Sequence, residues 1–178
     1  MDYIERTLQK NCVYQGKIFS VFSDDVLLPD GEKSKRDIVD HIGGACVLYQ
    51  KDGKFLFVKQ YRYAYKQEIY EIPAGRLEIG EDSKRTALRE LEEEAGIRTK
   101  DASLLFVLYP TPGYTNEKIY IYEASGGEIV QNHLDEGEFL SVVWIEEGRV
   151  REMIRNGEIV DAKTLVALQS YFLRKAEK

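Results

Sequence analysis

The alternation of hydrophobic and polar positions divides the chain into a strand-rich first part and a mixed second part. Before residue 43, the pattern predicts strands at 12–23, 26–29 and 35–42. Asp30-Gly31 is expected to form a hairpin turn, because this dipeptide tolerates positive φ. Gly43-Gly44 then marks a joint. We therefore predict a small N-terminal antiparallel sheet in residues 1–42 and a separate domain in residues 43–178.

Hydrophobic periodicity in the second part predicts strands that alternate with helices. The predicted strands are 45–49, 54–61, 68–72, 104–109, 118–124 and 140–145. Apolar positions recur at the helical period between Asp82 and Ala95, so a helix is expected there. A last helix is expected to start after Asp161 as its N-cap. Strands flanked by helices favour an α/β (α+β) sandwich.

Composition and charge narrow the class of partner. A length of 178 residues suits one self-sufficient domain or a domain with an appendage. The net charge of -6 and the pI near 5.1 oppose binding to nucleic acid, since Lys and Arg supply most of that affinity. A small anionic substrate is compatible with this charge if bound cations reverse the local field.

The cysteines and the apolar runs indicate the compartment. Cys12 and Cys46 lack the spacing of metal ligands, and we expect both to be reduced, buried thiols. The first ten residues are polar, and the longest apolar run, 104–109, is too short to cross a bilayer. We therefore expect a cytoplasmic protein that does not interact with membranes.

Three glutamates stand out within the first predicted helix. Glu90, Glu93 and Glu94 are spaced i, i+3 and i+4, which places them on one flank. Such crowding is tolerable around Mg²⁺ or Mn²⁺, which prefer carboxylate and water oxygens. Arg89 would then orient a neighbouring carboxylate. Taken alone, however, an acidic run is more often an ordinary solvated surface.

The whole stretch from residue 75 to residue 97 favours a metal site over an ordinary solvated surface. It reads Gly75, five residues, Glu81, seven residues, and then Arg89-Glu90-Leu91-Glu92-Glu93-Glu94-Ala95-Gly96-Ile97. This stretch resembles the Nudix box at every specified position, a match expected by chance on the order of once in 10⁸ starts. The resemblance implies a Nudix-type α/β/α sandwich with a mixed sheet and metal-dependent hydrolysis of a nucleoside diphosphate linked to another moiety.

The resemblance also implies roles for residues of the box. The implied metal ligands are the carboxylates of Glu90, Glu93 and Glu94 and the carbonyl oxygen of Ala74. Arg89 and Glu93 are further expected to serve the catalytic step. Gly75 and Gly96 are expected to frame the loop-helix-loop, and Glu81 to support the helix or a metal-bound water. The expected metal is Mg²⁺, with Mn²⁺ as the alternative.

Residues outside the box resemble the ADP-ribose pyrophosphatase subgroup. Pro112 and Gly113 follow the box at the spacing of a substrate-site turn, and Arg62 corresponds to an arginine that contacts the substrate diphosphate or ribose. In the polar loop before residue 140, the resemblance implies Glu136 as general base and Glu138 as a further metal ligand. A plain acidic loop is the alternative.

The N-terminal segment resembles the same subgroup, in which a small sheet pairs two subunits and completes each substrate site from the partner. By this resemblance, Ile18 and Phe19 would lie near the adenine, and Arg36 would reach the terminal ribose or the base. A homodimer is therefore expected. An ordinary core or interface role for Phe19 stays open.

The function implied is hydrolysis of ADP-ribose to AMP and ribose 5-phosphate. The alternative is a pyrophosphatase for GDP-mannose or another nucleoside diphosphate sugar, which the base-binding residues would distinguish. A non-catalytic Nudix domain that binds ADP-ribose is disfavoured, because the box carboxylates are intact. A nucleophilic hydrolase is disfavoured because neither His41 nor His133 belongs to a recognisable triad.

Overall fold

The computed structural model describes residues 2–177, which form two compact units. Within the described residues, the first unit consists of 2–43 and 109–118, and the second of 44–108 and 119–177. The chain first passes from one unit to the other between Gly43 and Gly44, where the sequence predicts a joint. Residues 109–118 belong to the first unit although they follow the box in sequence.

The first unit is built on a four-stranded antiparallel sheet. Its strands are β1 (Arg6–Gln9), β2 (Cys12–Gln15), β3 (Phe19–Leu27) and β4 (Lys33–His41). β3 lies in the centre, because it pairs with β4 along one edge and with both β1 and β2 along the other. The segment 109–118 joins this unit through the Val39 amide, which donates to the carbonyl of Tyr114 at 2.7 Å.

The strand boundaries in the first unit differ from those predicted. The predicted strand 12–23 is broken by a turn, in which the amide of Gly16 donates to the carbonyl of Phe19 at 3.0 Å. β3 continues through Asp24 and Asp25, because Asn11 satisfies both carboxylates. Its backbone amide donates to Asp24 at 3.1 Å and its side-chain amide to Asp25 at 3.0 Å. Asp24 and Asp25 therefore lie within a strand, although their polar side chains predict a break between two strands.

The second unit contains a mixed seven-stranded sheet, a two-stranded sheet and three helices. The strands are β5 (Gly44–Lys51), β6 (Lys54–Arg62), β7 (Gln67–Glu71), β8 (Ala74–Arg76), β9 (Ile97–Arg98), β10 (Ala102–Leu108), β11 (Ile119–Ala124), β12 (Glu128–Ile129) and β13 (Leu140–Glu146). The main order is β10-β11-β5-β6-β13, with β7 paired to β6 and β8 paired to β5. β11 and β5 run parallel, whereas the other pairs are antiparallel.

The helices are α1 (Ser83–Ala95), α2 (Glu147–Arg155) and α3 (Ala162–Ala176). α1 begins after Asp82, whose side chain accepts hydrogen bonds from the amides of Lys84 and Arg85, and it ends at Gly96 in the left-handed region. Asp161 caps α3 by accepting from the amide of Thr164. The predicted N-cap at Asp161 and the predicted end of the first helix at Gly96 are therefore confirmed.

Two hydrophobic clusters cover opposite faces of the main sheet. Successive side chains of a strand point to opposite faces, so that β5 contributes to both clusters. Cys46 and Leu48 belong to the cluster that contains Leu168 and Phe172 of α3, whereas Val47 lies in the cluster formed with α1. Full burial of such side chains contributes about 1.5–3 kcal/mol each. The predicted sandwich of helices around a mixed sheet is confirmed.

Two further expectations from the sequence concern the cysteines and the membrane. Cys46 is buried as expected, but Cys12 is exposed, because all four residues of β2 face solvent in this chain. The expectation of two buried thiols is thus wrong for Cys12. Among the described residues, no helix combines the length and the apolar character that crossing a membrane requires.

Candidate metal and active site

Strand β8 and helix α1 bring two box carboxylates against the backbone of residues 74 and 75. The amide of Ala74 donates to Oε2 of Glu94 at 3.0 Å. A Cβ placed on Gly75 would lie 1.8 Å from Oε1 of Glu90, so Glu90 lies against bare backbone. Ala74, Gly75, Glu90 and Glu94 therefore form one cluster, which we call the box cluster.

The two carboxylates of the box cluster are buried in the folded chain. Glu90 is 8% exposed and Glu94 is 1% exposed. Burial, with added repulsion from Glu90, raises the pKa of Glu94 to about 8. Burial also raises the pKa of Glu90 to about 7, although the Arg89 guanidinium opposes this shift. The crowded carboxylates therefore hold their protons more tightly than surface glutamates do.

Arg89 ties the box cluster to two other carboxylates. Its Nη1 lies 2.8 Å from Oε1 of Glu90 and 2.7 Å from Oε2 of Glu93. Its Nε lies 3.4 Å from Oε1 of Glu81. One guanidinium thus orients three acidic side chains, because its five N–H donors have fixed directions.

Glu81 anchors the loop before α1 to the start of that helix. Burial would raise the pKa of Glu81, but hydrogen bonds from the Thr86 hydroxyl and from Arg89 hold it below its usual range. The Thr86 hydroxyl donates to Oε2 of Glu81 at 2.8 Å. Glu81 therefore contacts the box cluster through Arg89 and supports the helix.

The end of α1 holds the segment that leads to the acidic loop. The amide of His133 donates to the carbonyl of Glu93 at 2.9 Å, and the side-chain amide of Asn132 donates to the carbonyl of Glu94 at 3.3 Å. Gly96 has φ 66°, and a Cβ there would lie 2.5 Å from the carbonyl oxygen of Val130. Only glycine permits both the conformation and this close approach.

The two acidic-loop candidates differ in their link to the box cluster. The charge of Glu138 raises the pKa of both Glu90 and Glu94, so its carboxylate acts on the same cluster. Glu136 is exposed at a turn, next to Gly137 at φ 85°. No hydrogen bond or ion pair within residues 2–177 joins Glu136 to the box cluster.

Arg62 lies at the end of β6 and is held by a residue that sequence reasoning missed. Its Nε lies 2.6 Å from Oε1 of Glu71, and its Nη2 donates to Oε2 at 2.8 Å. Glu71 is 1% exposed and also contacts the ammonium of Lys163. No local pattern could reveal the last pair, because its members are 92 residues apart.

The remaining substrate candidates belong to the first unit. Arg36 donates from Nε to Glu5 at 2.8 Å, and Ile18 and Phe19 are exposed where β3 begins. The β3–β4 register places Phe19 opposite His41, five positions beyond Arg36 and thus about 17 Å away along the strand. One chain therefore does not bring Phe19 and Arg36 to a common point.

Pro112 and Gly113 lie in an exposed turn of the same unit. The turn is closed by the amides of Tyr114 and Thr115, which both donate to the carbonyl of Thr111, at 3.4 and 3.3 Å. Apart from its two chain neighbours, no heavy atom of residues 2–177 lies within 4 Å of a Cβ placed on Gly113. This turn is therefore open to solvent on the side of Gly113.

The donor chemistry of the box cluster fits a hard divalent cation. Its groups are all oxygen donors, namely the carboxylates of Glu90 and Glu94 and the carbonyl of Ala74, with Glu138 nearby. Within residues 2–177, no three Asp, Glu, His or Cys side chains converge on one metal position, and Glu90 and Glu94 instead contact Arg89 and the Ala74 amide. The fit therefore rests on donor type, on crowding and on the bare Gly75 backbone.

Comparison with known proteins identifies a family model that matches this chain and several relatives with similar sequences. The NUDIX domain model matches residues 40–168. The ADP-ribose pyrophosphatase of Bacillus subtilis (strain 168) is 38% identical over 175 residues, covering 97% of this chain and 95% of that protein. The methanol dehydrogenase activator of Bacillus methanolicus is 38% identical over 177 residues, covering 98% and 96%. A crystal structure of an ADP compounds hydrolase aligns with a TM-score of 0.84 at 20% identity, covering 98% of this chain and 95% of that one. This structural likeness concerns the fold.

Proposed function

The chain belongs to the Nudix family, and from this premise we propose that it hydrolyses the diphosphate linkage of ADP-ribose to AMP and ribose 5-phosphate. The observation that supports this activity most directly is the box cluster, in which helix α1 holds Glu90 and Glu94 against Ala74 and Gly75. The substrate is supported by 38% identity to an ADP-ribose pyrophosphatase across 97% of this chain. The name of the Bacillus methanolicus relative describes an activating role and mentions no substrate.

Nudix hydrolases generally use divalent metal ions, and we propose Mg²⁺ for this chain, with Mn²⁺ as a substitute. Glu90, Glu94, Glu93 and Glu138 would hold it together with the Ala74 carbonyl. When bound, such a cation supplies charge to polarise phosphate oxygens and lowers the pKa of water. Arg89 keeps Glu90 and Glu93 in place through contacts of 2.8 and 2.7 Å.

The chain's own groups account for proton transfer and binding. Glu136 is proposed as the general base, because it is an exposed carboxylate in the loop that also carries Glu138. Arg62 is proposed to bind the substrate diphosphate. Glu71 occupies its Nε and Nη2, whereas Nη1 has no hydrogen-bond partner within residues 2–177. That nitrogen is therefore available to a phosphate oxygen.

We propose that the first unit takes part through a homodimer. Ile18, Phe19 and Arg36 would contact the adenine and ribose ends of the substrate, and Pro112 and Gly113 would line the site. Phe19 and Arg36 lie far apart along one sheet, so a two-chain site lets them serve different substrate molecules. A cytoplasmic location also stays a prediction.

The direct test of the substrate is product analysis with the full-length chain. ADP-ribose and GDP-mannose are supplied at equal concentration with Mg²⁺, and the products are separated by anion-exchange chromatography. We expect AMP and ribose 5-phosphate, no product with excess chelator, and at least about tenfold lower kcat/KM for GDP-mannose. A preference for GDP-mannose would overturn the proposed substrate while leaving the family unchanged. Tight binding of ADP-ribose without cleavage would instead identify a non-catalytic binding domain.

A further inference from the structure

Four charged side chains form a continuous chain of contacts from the start of α3 to Arg62. The ammonium of Lys163 lies 3.0 Å from Oδ1 of Asp161 and also contacts Oε2 of Glu71. Both Glu71 oxygens bind Arg62, at 2.6 and 2.8 Å. The order is therefore Asp161, Lys163, Glu71 and Arg62, with alternating charge. We call this set the α3 relay.

The burial of the α3 relay indicates a role in addition to stabilising the fold. Glu71 is 1% exposed and Lys163 is 9% exposed, whereas the Arg62 side chain is 42% exposed. Desolvation of buried ions costs several kcal/mol each, and apolar replacements of whole buried pairs are often no less stable. What buried ion pairs provide beyond an apolar core is fixed geometry. In this chain, the group whose geometry they fix is the guanidinium of Arg62.

The relay is anchored to rigid backbone at its inner end. The Thr164 hydroxyl accepts from the amide of Ile72 at 2.9 Å and contacts Oδ2 of Asp161 at 2.6 Å. The first turn of α3 thus holds two successive residues, Glu71 through Lys163 and Ile72 through Thr164. These residues lead directly into the turn before Ala74. Side chains locked by such outer contacts hold a functional group more precisely than the group's own rotamers do.

We propose that Lys163 is a positioning residue for substrate binding. Together with Asp161, it fixes the carboxylate of Glu71, and Glu71 fixes Arg62 so that Nη1 faces a diphosphate oxygen of the substrate. This inference rests on the proposed function, since it takes Arg62 as the residue that binds the diphosphate. Without the ammonium, Arg62 is the one remaining hydrogen-bond partner of the Glu71 carboxylate within residues 2–177, and both side chains gain rotational freedom.

The test compares KM and kcat for ADP-ribose in the full-length chain at saturating Mg²⁺. Lys163→Met removes the ammonium and retains an unbranched apolar stem. We expect KM to rise about tenfold with kcat within about twofold, because the box cluster is untouched. Lys163→Arg restores a cation and should return KM to within about threefold of wild type. Lys175→Met is the control, because Lys175 lies on the same helix in an exposed pair with Glu147 at 2.6 Å.

A double-mutant cycle with Arg62→Ala separates positioning from general structural support. If Lys163 acts through Arg62, Lys163→Met should raise KM less than about twofold in the Arg62→Ala background. Multiplicative KM effects, or a loss of thermal stability with unchanged KM, would overturn the proposal. Lys163→Gln replaces Lys163→Met if circular dichroism shows that the methionine variant is unfolded. Absence of hydrolysis by the wild type would contradict the proposed function instead.

Discussion

Gly75 sets how closely α1 can bring Glu90 to strand β8. A Cβ at this position would lie 1.8 Å from Oε1 of Glu90, which forces that carboxylate to move. We expect Gly75→Ala to lower kcat/KM by about a hundredfold, since a displacement near 1 Å at reacting groups has such an effect. Steady-state kinetics with Mg²⁺ would measure it.

The matched control for this glycine is Gly148→Ala. Apart from its chain neighbours and the backbone of its own helix, no heavy atom of residues 2–177 lies within 4 Å of a Cβ placed on Gly148, and its φ is negative, as is that of Gly75. Neither substitution therefore strains the backbone. Full activity of Gly75→Ala, or equal losses in both variants, would contradict the contact between Glu90 and bare backbone.

Glu71 predicts a distinct dependence of stability on pH. Burial would raise its pKa, but Arg62 and Lys163 hold the pKa below its usual range. A carboxyl with a depressed folded-state pKa stabilises the fold above its unfolded pKa, near 4.5, and that stability is lost as pH falls through the folded value. Glu71→Gln should therefore cost about 3 kcal/mol near pH 7, and less in acid.

Thermal unfolding of wild type and Glu71→Gln between pH 7 and pH 3.5 measures this effect. Each kcal/mol corresponds to about 2–4 °C in Tm for a chain of this size. The gap between the two Tm values should narrow below pH 4.5. A gap that stays constant with pH would show that Glu71 is not ionised in the folded chain.

The residues of the candidate site differ in how far the sequence predicts them. Glu90, Glu93 and Glu94 follow from the sequence, because helical spacing alone places them on one flank. The burial of Glu90 and Glu94 does not follow, since it depends on the packing of α1 against β5 and β8. The Glu71–Lys163 contact spans 92 residues and needs the complete fold.

At the scale of elements, the cap of α1 controls the start of the helix that carries the site. Asp82 accepts hydrogen bonds from the amides of Lys84 and Arg85 at 3.0 and 3.3 Å. We expect Asp82→Ala to lower the free energy of unfolding by about 1 kcal/mol, measured by urea titration. The control Arg85→Ala removes an exposed side chain and should change it by less than about 0.5 kcal/mol. Equal effects would show that the cap contributes nothing.

The elements also show where sequence patterns mislead. The caps and the Asp52-Gly53 turn were predictable, because they depend on local conformation, with φ of 52° and 77° in the structure. The boundaries of β3 were not, since this strand continues through Asp24 and Asp25, whose carboxylates Asn11 satisfies from outside the strand. Polar residues predict a break in a strand when the residues that form hydrogen bonds with them are not known from the sequence.

At the scale of the whole molecule, the first unit exposes apolar side chains that a second copy would cover. These side chains are Tyr3, Ile4, Leu8, Val13, Tyr14, Ile18, Phe19 and Ile42. Large apolar side chains exposed in such number on one small unit favour an interaction surface there. We expect light scattering to give twice the chain mass of 20.5 kDa at micromolar concentration. Val13→Glu should shift the mass towards the monomer.

Ile79→Glu is the control for the oligomer, because Ile79 is 96% exposed in the second unit. It should leave the mass unchanged. A wild-type monomer at micromolar concentration would exclude a site completed by the partner. The exposure of β2 was hidden from the sequence, since the alternation of its side chains predicts a strand but not which faces are covered.

The fold class of the whole molecule was predictable from its alternating strands and helices, whereas its topology was not. The parallel pairing of β5 with β11 joins residues more than seventy positions apart, and no local pattern specifies that partner. Similarly, the sequence predicts residues 110–117 as a connection between two strands of the second domain, but the segment 109–118 belongs to the first unit. Sequence periodicity therefore does not predict which strands pair when they lie far apart along the chain.

The buried carboxylates of the box cluster are proposed to support metal-dependent hydrolysis. The most direct measurement is the Mg²⁺-dependent rate of AMP release from ADP-ribose in Glu94→Gln, beside Glu92→Gln. The pKa of Glu94 is about 8, so an uncharged glutamine of the same shape should preserve the fold. Glu92 lies on the same helix but pairs with Arg98 at 2.7 Å. We predict at least about a hundredfold loss for Glu94→Gln and near wild-type activity for Glu92→Gln. Equal activity of the two variants would contradict the assignment of the site.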